Sequence, residues 1–298
     1  MVTEKLTSLS KFCDMDTALK IINSQTLRWS APHLFNDPFE LSHKTLVELS
    51  KDALLKSLVM EALDRLFNPT PVKGRKNRLT ETIDRWREEK RFSSEDEAES
   101  VLKVLLTKVI SQQHIDQYIR AWKAFASAIR ICCFTESPTN MATWQRYGDN
   151  HSGIALKFKC GLNTTLSSPQ LVSYTAAPPL VTSIKQQIDI AYGKEPKLST
   201  ANFMEKLLIK NEAIAAENEW RCFSKASDET GKDDELWYDN TKFPTHELEA
   251  VFLGLAITTA NREQVIAMIK KNYKNTKIFK AETVPGKFAV TFAQVPKL

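Results

Sequence analysis

The spacing of apolar and polar residues divides the chain into three parts. The first is a short strand, helix and strand unit, with the elements predicted over 6–12, 16–24 and 27–30. Asp14 or Asp16 is placed to cap the amino terminus of this helix. A helical pattern follows to about residue 127, and strands predominate from about residue 128 onward.

Apolar residues of the second part recur at helical spacing. One face collects Leu46, Leu49, Ala53, Leu54, Leu58, Ala62, Leu63 and Leu66. This run ends at the Asn68-Pro69-Thr70-Pro71 segment. Ser94-Glu95-Asp96-Glu97 then predicts a capping box for a long helix with Val101 and Leu105 on its apolar face. We therefore predict a helical insertion over about 44–127.

The third part alternates irregularly between strands and helices. Strands are predicted over 129–134, 153–158, 170–174, 220–223, 250–255, 277–281 and 288–295, and helices over 183–192, 202–216 and 261–273. Strictly alternating strands and helices would indicate a doubly wound sheet, so this order favours an α+β fold. We predict a single α+β domain of catalytic type over 1–298, interrupted by the insertion.

Composition is that of an ordinary globular protein, with 298 residues, 42% hydrophobic and 26% charged. The net charge of +5 is too mild for a dedicated nucleic-acid-binding face. The five cysteines include no Cys-x-x-Cys pair, which favours reduced thiols over disulfides or a zinc cluster. No apolar run is long enough for a membrane span, and no signal-peptide pattern is present. We expect a cytoplasmic protein with no membrane partner.

Several common functional signatures are absent from the sequence. It has no Walker loop, no Gly-x-Gly-x-x-Gly and no His-Glu-x-x-His, and it contains only eight glycines. The five histidines are scattered without the spacing of metal ligands. These absences disfavour glycine-rich-loop nucleotide enzymes, and we expect no metal.

The segment Phe35-Asn36-Asp37-Pro38-Phe39-Glu40 combines an amide, two carboxylates and two aromatic rings in one turn. Pro38 fixes its own φ and disfavours helical backbone at Asp37, so the turn is rigid before any ligand binds. Two interpretations are open: an Asx-turn anchored by its two phenylalanines, or a ligand-binding loop.

Two further clusters carry candidate chemistry. Trp144, Tyr147 and His151 lie at helical spacing, which suits either an aromatic face packed on a sheet or a wall for ring stacking. Glu217-Asn218-Glu219-Trp220-Arg221 places two carboxylates beside a guanidinium and an indole. This arrangement suits either a surface ion pair or a carboxylate that stabilises a developing cation.

The order and spacing of the motifs resemble a bacterial family known as domain of unknown function 2971. The motifs are Lys11-Phe12, Phe35 to Glu40, Cys133-Phe134-Thr135-Glu136, Trp144 to Gly153, Glu217 to Arg221, and Phe252 to Gly254. The resemblance covers nearly all of the chain outside the insertion. The chain departs from the family near Ile214, where the family has the first tryptophan of Trp-x-x-Glu-x-Glu-Trp-Arg.

The same order looks like a divergent ADP-ribosyltransferase of the DarT-like or poly(ADP-ribose)-polymerase-like type. That resemblance implies a split mixed or antiparallel sheet and NAD as the substrate, with Glu219 and Glu217 as catalytic carboxylates. It implies that Ser10 or Lys11 lies on the first strand. It also implies NAD contacts from Lys11, Phe12, Asn36, Asp37, Phe39, Glu40, Trp144, Tyr147 and Arg221, with Lys11 and Arg221 at the pyrophosphate.

The resemblance implies an NAD-consuming mono-ADP-ribosyltransferase, a bacterial toxin or antiphage defence effector that modifies a nucleic acid or a protein and can have an antitoxin partner. Two alternatives stay open: a non-catalytic nucleotide or nucleic-acid binding module, and an NAD glycohydrolase. The basic stretch 73–78 in the insertion is either a contact for a phosphate backbone or a solvated loop.

Overall fold

The computed structural model describes residues 6–35, 50–68, 76–111, 114–180, 182–194, 201–227 and 237–296. The helices there are α1 Met15–Ser24, α2 Lys51–Phe67, α3 Arg78–Glu88, α4 Glu95–Ser111, α5 His114–Ala128, α6 Met141–Tyr147, α7 Ile184–Ala191, α8 Ala201–Lys206 and α9 Thr259–Asn272. The strands are β1 Ser8–Cys13, β2 Thr26–Ser30, β3 Ile129–Thr135, β4 Ile154–Lys159, β5 Gln170–Leu171, β6 Ser173–Thr175, β7 Ile209–Asn211, β8 Glu219–Lys225, β9 Tyr238–Lys242, β10 Leu248–Leu253, β11 Lys277–Thr283 and β12 Val290–Gln294.

The chain divides into two compact units. The first holds the described residues within 1–36, 126–177 and 208–298, and the second holds those within 37–125 and 178–207. The second unit covers the predicted insertion up to residue 125 and adds α7 and α8, which the sequence did not place in the insertion. The prediction of one domain over 1–298 stays a prediction. None of the helices in the described part of the chain has the length and apolar composition of a membrane span.

A ten-stranded mixed sheet forms the centre of the first unit. Its strand order is β12-β11-β10-β4-β1-β3-β2-β9, with β8 also on β3 and β5 on β8. Only β10 and β11 pair in parallel within this sheet, among the described strands. The mixed sheet and the irregular placement of helices confirm the α+β class.

Strand β3 is the branch point of this sheet. β8 pairs with it along its whole length, from Ile129 to Thr135. β1 pairs with β3 at Thr135, and β2 pairs with β3 at Ile131. Because a strand has only two edges, β1 and β2 must share the edge opposite β8. The sheet is therefore split between β1 and β2.

Residues alternate between the two faces of the sheet. The first face carries Leu9, Phe134, Leu156 and Cys222 and packs against residues of α1 and α9, among them Ile21, Ile22, Val265 and Ile269. The opposite face carries Phe12, Ala155 and Phe252 and packs against Trp144 of α6. The polar residues of the site described below lie on this second face.

The second unit has its own apolar core, formed by α2, α3, α4 and α7. It contains Leu54, Leu58, Val59, Ala62, Leu66, Ile83, Ala98, Leu102, Leu106 and Tyr192. The Tyr192 hydroxyl donates to the Leu58 carbonyl oxygen at 2.7 Å. The burial of Leu54, Leu58, Ala62 and Leu66 confirms the apolar face predicted for α2 at these positions.

The predicted apolar face of α4 is wrong by one residue. Ala98, Leu102 and Leu106 are buried, whereas Val101 is exposed. Ala98 lies on the buried face, but its side chain is small and only weakly hydrophobic. It therefore contributes little to an apolar pattern in the sequence. Ser94 does cap the helix by accepting from the Glu97 amide at 3.3 Å, but the Glu97 carboxylate accepts from the Ser93 amide instead of the Ser94 amide.

Two other predictions need correction. The helix predicted over 202–216 is wrong beyond α8, because β7 follows and pairs in parallel with β6. A 3₁₀ turn then runs from Glu212 to Glu217, and the Asn211 side chain caps it by accepting from the Ala213 amide at 2.9 Å. Strand β9 was missed, and Phe288 lies exposed before the start of β12 instead of within it.

We predict that Gly254→Ala is strongly destabilising. A Cβ at Gly254 would overlap the backbone carbonyl oxygen of His151 and would lie 2.8 Å from that of Gly153, and neither is a flexible side chain. We expect a loss of about 3 kcal/mol in the free energy of unfolding, measured by urea denaturation. Gly286→Ala is the control, because its positive φ of 73° is strained but the space around it is open, so we expect a loss of about 1 kcal/mol there. Equal losses in the two variants would contradict this account.

Candidate functional site

Glu217 and Glu219 lie on either side of a left-handed residue. Glu217 ends the 3₁₀ turn, Glu219 begins β8, and Asn218 between them has φ 46° and ψ 53°. Asparagine adopts this conformation more readily than most residues. Glu217 and Glu219 are only 4% and 6% exposed.

The backbone of this turn is held from β3 and α6. The Thr135 hydroxyl donates to the Glu217 carbonyl oxygen at 3.0 Å. The Asn140 side-chain amide donates to the same oxygen at 3.0 Å and to the Ala216 carbonyl oxygen at 2.8 Å. These bonds fix the position from which both carboxylates project.

Lys210 on β7 joins the two carboxylates. Its Nζ donates to Glu217 Oε2 at 2.8 Å and to Glu219 Oε2 at 2.6 Å, and its side chain is 3% exposed. Burial alone would lower the pKa of Lys210, but the charge of Glu219 and the hydrogen bonds to both carboxylates outweigh burial and raise this pKa. Lys210 is therefore a charged ammonium at neutral pH.

Arg221 binds the remaining oxygen of Glu219. It lies two residues further along β8, so it projects from the same face of the sheet. Its Nε lies 2.6 Å from Glu219 Oε1, and the side chain is fully buried. The guanidinium carbon is 5.6 Å from the centroid of the Phe35 ring. This contact brings the start of the Phe35 to Glu40 segment to the carboxylates.

Two residues of α6 bind the remaining oxygen of Glu217. Arg146 NH1 lies 3.0 Å from Glu217 Oε1, and the Tyr147 hydroxyl donates to that oxygen at 3.4 Å. Burial raises the pKa of Tyr147, and the charges of Glu217 and Glu219 add to this effect while Lys210 opposes it. The Arg146 side chain is 43% exposed and Tyr147 is 42% exposed.

We call this group of six residues the carboxylate cluster: Arg146, Tyr147, Lys210, Glu217, Glu219 and Arg221. It contains three cations and two carboxylates. Each of the four carboxylate oxygens has a donor within 3.4 Å. Since Lys210 and Arg221 are buried, the accessible partners of the two carboxylates are Arg146 and Tyr147.

Three more polar groups surround the cluster. The Tyr174 hydroxyl accepts from the Glu219 amide at 2.9 Å. Burial and the negative charge of Glu219 raise the pKa of the Cys133 thiol well above its usual value, so this thiol is neutral and poorly nucleophilic. Ser10 is fully buried, pairs with Thr135 across the strands, and its hydroxyl has no hydrogen-bond partner among the described residues.

Of the predicted site residues, the structure brings together Glu217, Glu219, Arg221 and Tyr147. Phe12 and Trp144 lie in the core instead, with their rings in a T-shaped contact at 4.8 Å. The Trp144 indole donates to the Pro138 carbonyl oxygen at 2.7 Å, and its ring stacks on His151 at 5.9 Å. These contacts favour the packing interpretation for both residues.

Lys11 lies apart from the carboxylate cluster. On β1 it alternates with Ser10, so it projects from the sheet face opposite Glu219 and Arg221. Its Nζ donates to the Cys133 carbonyl oxygen at 3.3 Å and lies 5.4 Å from the centroid of the Phe134 ring. Lys11 and Arg221 therefore lie on opposite faces of the sheet and do not point toward a common pyrophosphate. The other predicted contacts, Asn36, Asp37, Phe39 and Glu40, lie outside the described residues.

Lys210, Arg146 and Tyr174 were not among the predicted site residues. Lys210 was assigned to a helix, where a lysine suggests a solvated position. Arg146 is adjacent to Tyr147 and carried no signal of its own. Within the described ranges, no group of three or more histidine, cysteine, aspartate or glutamate side chains could hold a metal ion.

Residues 143–222 match the model of a family described as "Protein of unknown function (DUF2971)". The predicted resemblance to this family is confirmed over that region, which contains all six residues of the carboxylate cluster. No curated protein matches the chain, and no solved structure matches it. The family match thus coincides with the site that the geometry defines.

We predict that Lys210→Met costs about 3–5 kcal/mol in the free energy of unfolding at neutral pH, because it leaves two buried carboxylates without their shared cation. Urea denaturation of both proteins at neutral pH measures this loss. The control is Lys103→Met, which removes an exposed pair with Glu99 and should cost under about 0.5 kcal/mol. A Lys210→Met loss equal to that of the control would refute the structural role of this lysine.

We predict that the charge of Lys210 makes stability fall at alkaline pH. Its folded pKa is raised above the ordinary 10.5, so the unfolded chain releases this proton first as pH rises. The contribution is complete below about pH 10 and is lost as pH rises through the folded pKa. The wild type should therefore lose more stability between about pH 10 and 12 than Lys210→Met does. Parallel losses in the two proteins would show that Lys210 does not contribute.

Proposed function

We propose that this protein is an NAD-consuming mono-ADP-ribosyltransferase whose active site is the carboxylate cluster. The observation that carries the proposal is the pair Glu217 and Glu219, held side by side by one buried ammonium and reached through half-exposed Arg146 and Tyr147. Cleavage of nicotinamide from NAD passes through an oxocarbenium-like ribose, which a positioned carboxylate stabilises. The split mixed sheet supports an ADP-ribosyltransferase-like fold as part of the same proposal.

Glu219 stabilises the developing positive charge in this proposal. Both of its oxygens are already fixed by Lys210 and Arg221, so little reorganisation is needed when charge develops. Glu217 orients a ribose hydroxyl or the acceptor, because its partners Arg146 and Tyr147 are the accessible ones.

The bond between ribose C1′ and the nicotinamide nitrogen breaks, and its electron pair leaves with nicotinamide. A nucleophile of the acceptor then bonds to C1′ and releases a proton. If water is the nucleophile, the products are nicotinamide and free ADP-ribose, and the enzyme is an NAD glycohydrolase. We propose a nucleic acid or a protein as the acceptor, in the setting of a bacterial toxin or antiphage defence effector.

A second candidate is a non-catalytic module that binds a nucleotide or a nucleic acid. The observation that favours it is that all four carboxylate oxygens already have a donor. Carboxylates bound in this way can serve to hold the turn and β8 in place without taking part in a reaction. This candidate predicts ligand binding without release of nicotinamide.

We predict that the purified protein releases nicotinamide from NAD in the presence of DNA, RNA or cell lysate, measured by mass spectrometry. Glu219→Gln should lower this rate at least about a hundredfold, because a neutral amide cannot stabilise the developing charge. The matched control is Glu282→Gln, which changes an exposed glutamate on β11 and should retain full activity.

Mass analysis of the acceptors distinguishes transfer from hydrolysis, since transfer adds an ADP-ribosyl group and hydrolysis leaves ADP-ribose free. Circular dichroism confirms that the variants are folded. Nucleotide binding without NAD consumption by the wild type would refute the transferase and favour the binding module. Equal activity in Glu219→Gln and the wild type would refute the assignment of Glu219.

A further inference from the structure

We propose that Arg146 is the phosphate-binding residue of the carboxylate cluster, and that a phosphate group bound there frees one oxygen of Glu217. The ligand class, a nucleotide with a pyrophosphate, rests on the proposed function. The anion site itself rests on the contacts and exposure of Arg146. Lys11 and Arg221 are the predicted pyrophosphate contacts, and Arg146 is not among the predicted site residues.

Exposure distinguishes Arg146 from the other two cations of the cluster. The side chains of Lys210 and Arg221 are 3% and 0% exposed, whereas that of Arg146 is 43% exposed. An anion from solvent can therefore contact Arg146 but not the buried Lys210 or Arg221.

The guanidinium of Arg146 is oriented but not saturated. One of its nitrogens, NH1, contacts Glu217 Oε1 at 3.0 Å, and its central carbon lies 5.6 Å from the centroid of the Tyr147 ring. An arginine has five N–H donors in a planar fork that matches a phosphate in two parallel hydrogen bonds. No other carboxylate pairs with Arg146 among the described residues, so donors are available for a phosphate.

The Tyr147 hydroxyl is a second available donor. Its hydrogen bond to Glu217 is long, at 3.4 Å, and therefore weak. Burial raises the pKa of Tyr147, so the phenol keeps its proton at neutral pH and can donate to a phosphate oxygen. Arg146 and Tyr147 thus present adjacent donors on the open side of the cluster.

Binding of a phosphate changes the charge at the carboxylates. When Arg146 turns to the phosphate, Glu217 Oε1 loses its ionic partner while Glu217 Oε2 stays bound to Lys210. The freed oxygen faces the accessible side, where it can accept a hydrogen bond from a ribose hydroxyl. The anion site would therefore couple binding of the nucleotide to exposure of a carboxylate.

The test is titration of the full chain with inorganic pyrophosphate, followed by calorimetry at low salt. Arg146→Gln should weaken binding about tenfold or more, since it removes a charge-assisted contact. Arg146→Lys should recover part of the affinity, because it restores the charge without the planar fork. The matched control is Arg85→Gln, which changes an exposed arginine of α3 in a 4.0 Å pair with Glu89 and should leave the affinity unchanged.

Carbon-13 labelling of glutamate carboxylates provides a second readout. The Glu217 signal, assigned with Glu217→Gln, should move on addition of pyrophosphate to the wild type and should stay in place in Arg146→Gln. A signal that does not move in the wild type would overturn the release of Glu217. Absence of pyrophosphate binding, or equal weakening by Arg146→Gln and Arg85→Gln, would overturn the anion site.

Failure of this inference is distinguishable from failure of the proposed function. If pyrophosphate binds through Arg146 and the wild type does not consume NAD, the anion site stands and the transferase is refuted. If NAD is consumed and pyrophosphate binding does not depend on Arg146, the transferase stands and the anion site is refuted. Urea denaturation of Arg146→Gln confirms that any lost affinity is not due to unfolding.

Discussion

The site depends on one buried ammonium. Lys210 lies between Glu217 and Glu219, at 2.8 and 2.6 Å, and these two like charges could not stay buried side by side without a cation between them. The same ammonium ties β7 to the start of β8, and the left-handed Asn218 aligns the two glutamates with it. Arg221 and Arg146 then bind the outer oxygens, which leaves the accessible side of the cluster at Arg146 and Tyr147.

The branched strand β3 determines what surrounds this cluster. β1 and β2 share one edge of β3, so β1 begins beside the split in the sheet. Successive residues of β1 project from opposite faces of the sheet. Ser10 lies on the cluster side, whereas Lys11 lies on the opposite face and donates to the Cys133 carbonyl oxygen. The cation–π contact between Arg221 and Phe35 links this face to the start of the Phe35 to Glu40 segment. Motifs distant in the sequence therefore meet at β3 and β8.

Much of the fold could be predicted because apolar periodicity reports burial directly. β3, β4, β10 and α9 were predicted within two residues, and the α+β class followed from their order. The site was only partly predictable. Glu217 and Glu219 were recognised as a pair, but Lys210 has the sequence appearance of a solvated lysine. Its position beside the carboxylates depends on β7, which pairs with β6 and which the sequence did not predict. The side of the sheet on which Lys11 projects depends on strand register, which a single sequence does not specify.

The central claim is that the carboxylate cluster binds the nicotinamide riboside end of NAD, and crystallography of the Glu219→Gln variant with NAD tests it most directly. The account predicts electron density for NAD on the sheet face that carries Glu219, with a ribose hydroxyl within hydrogen-bond distance of Glu217 Oε1 and a phosphate on Arg146. NAD bound elsewhere, with the Arg146 to Glu217 ion pair intact, would contradict it.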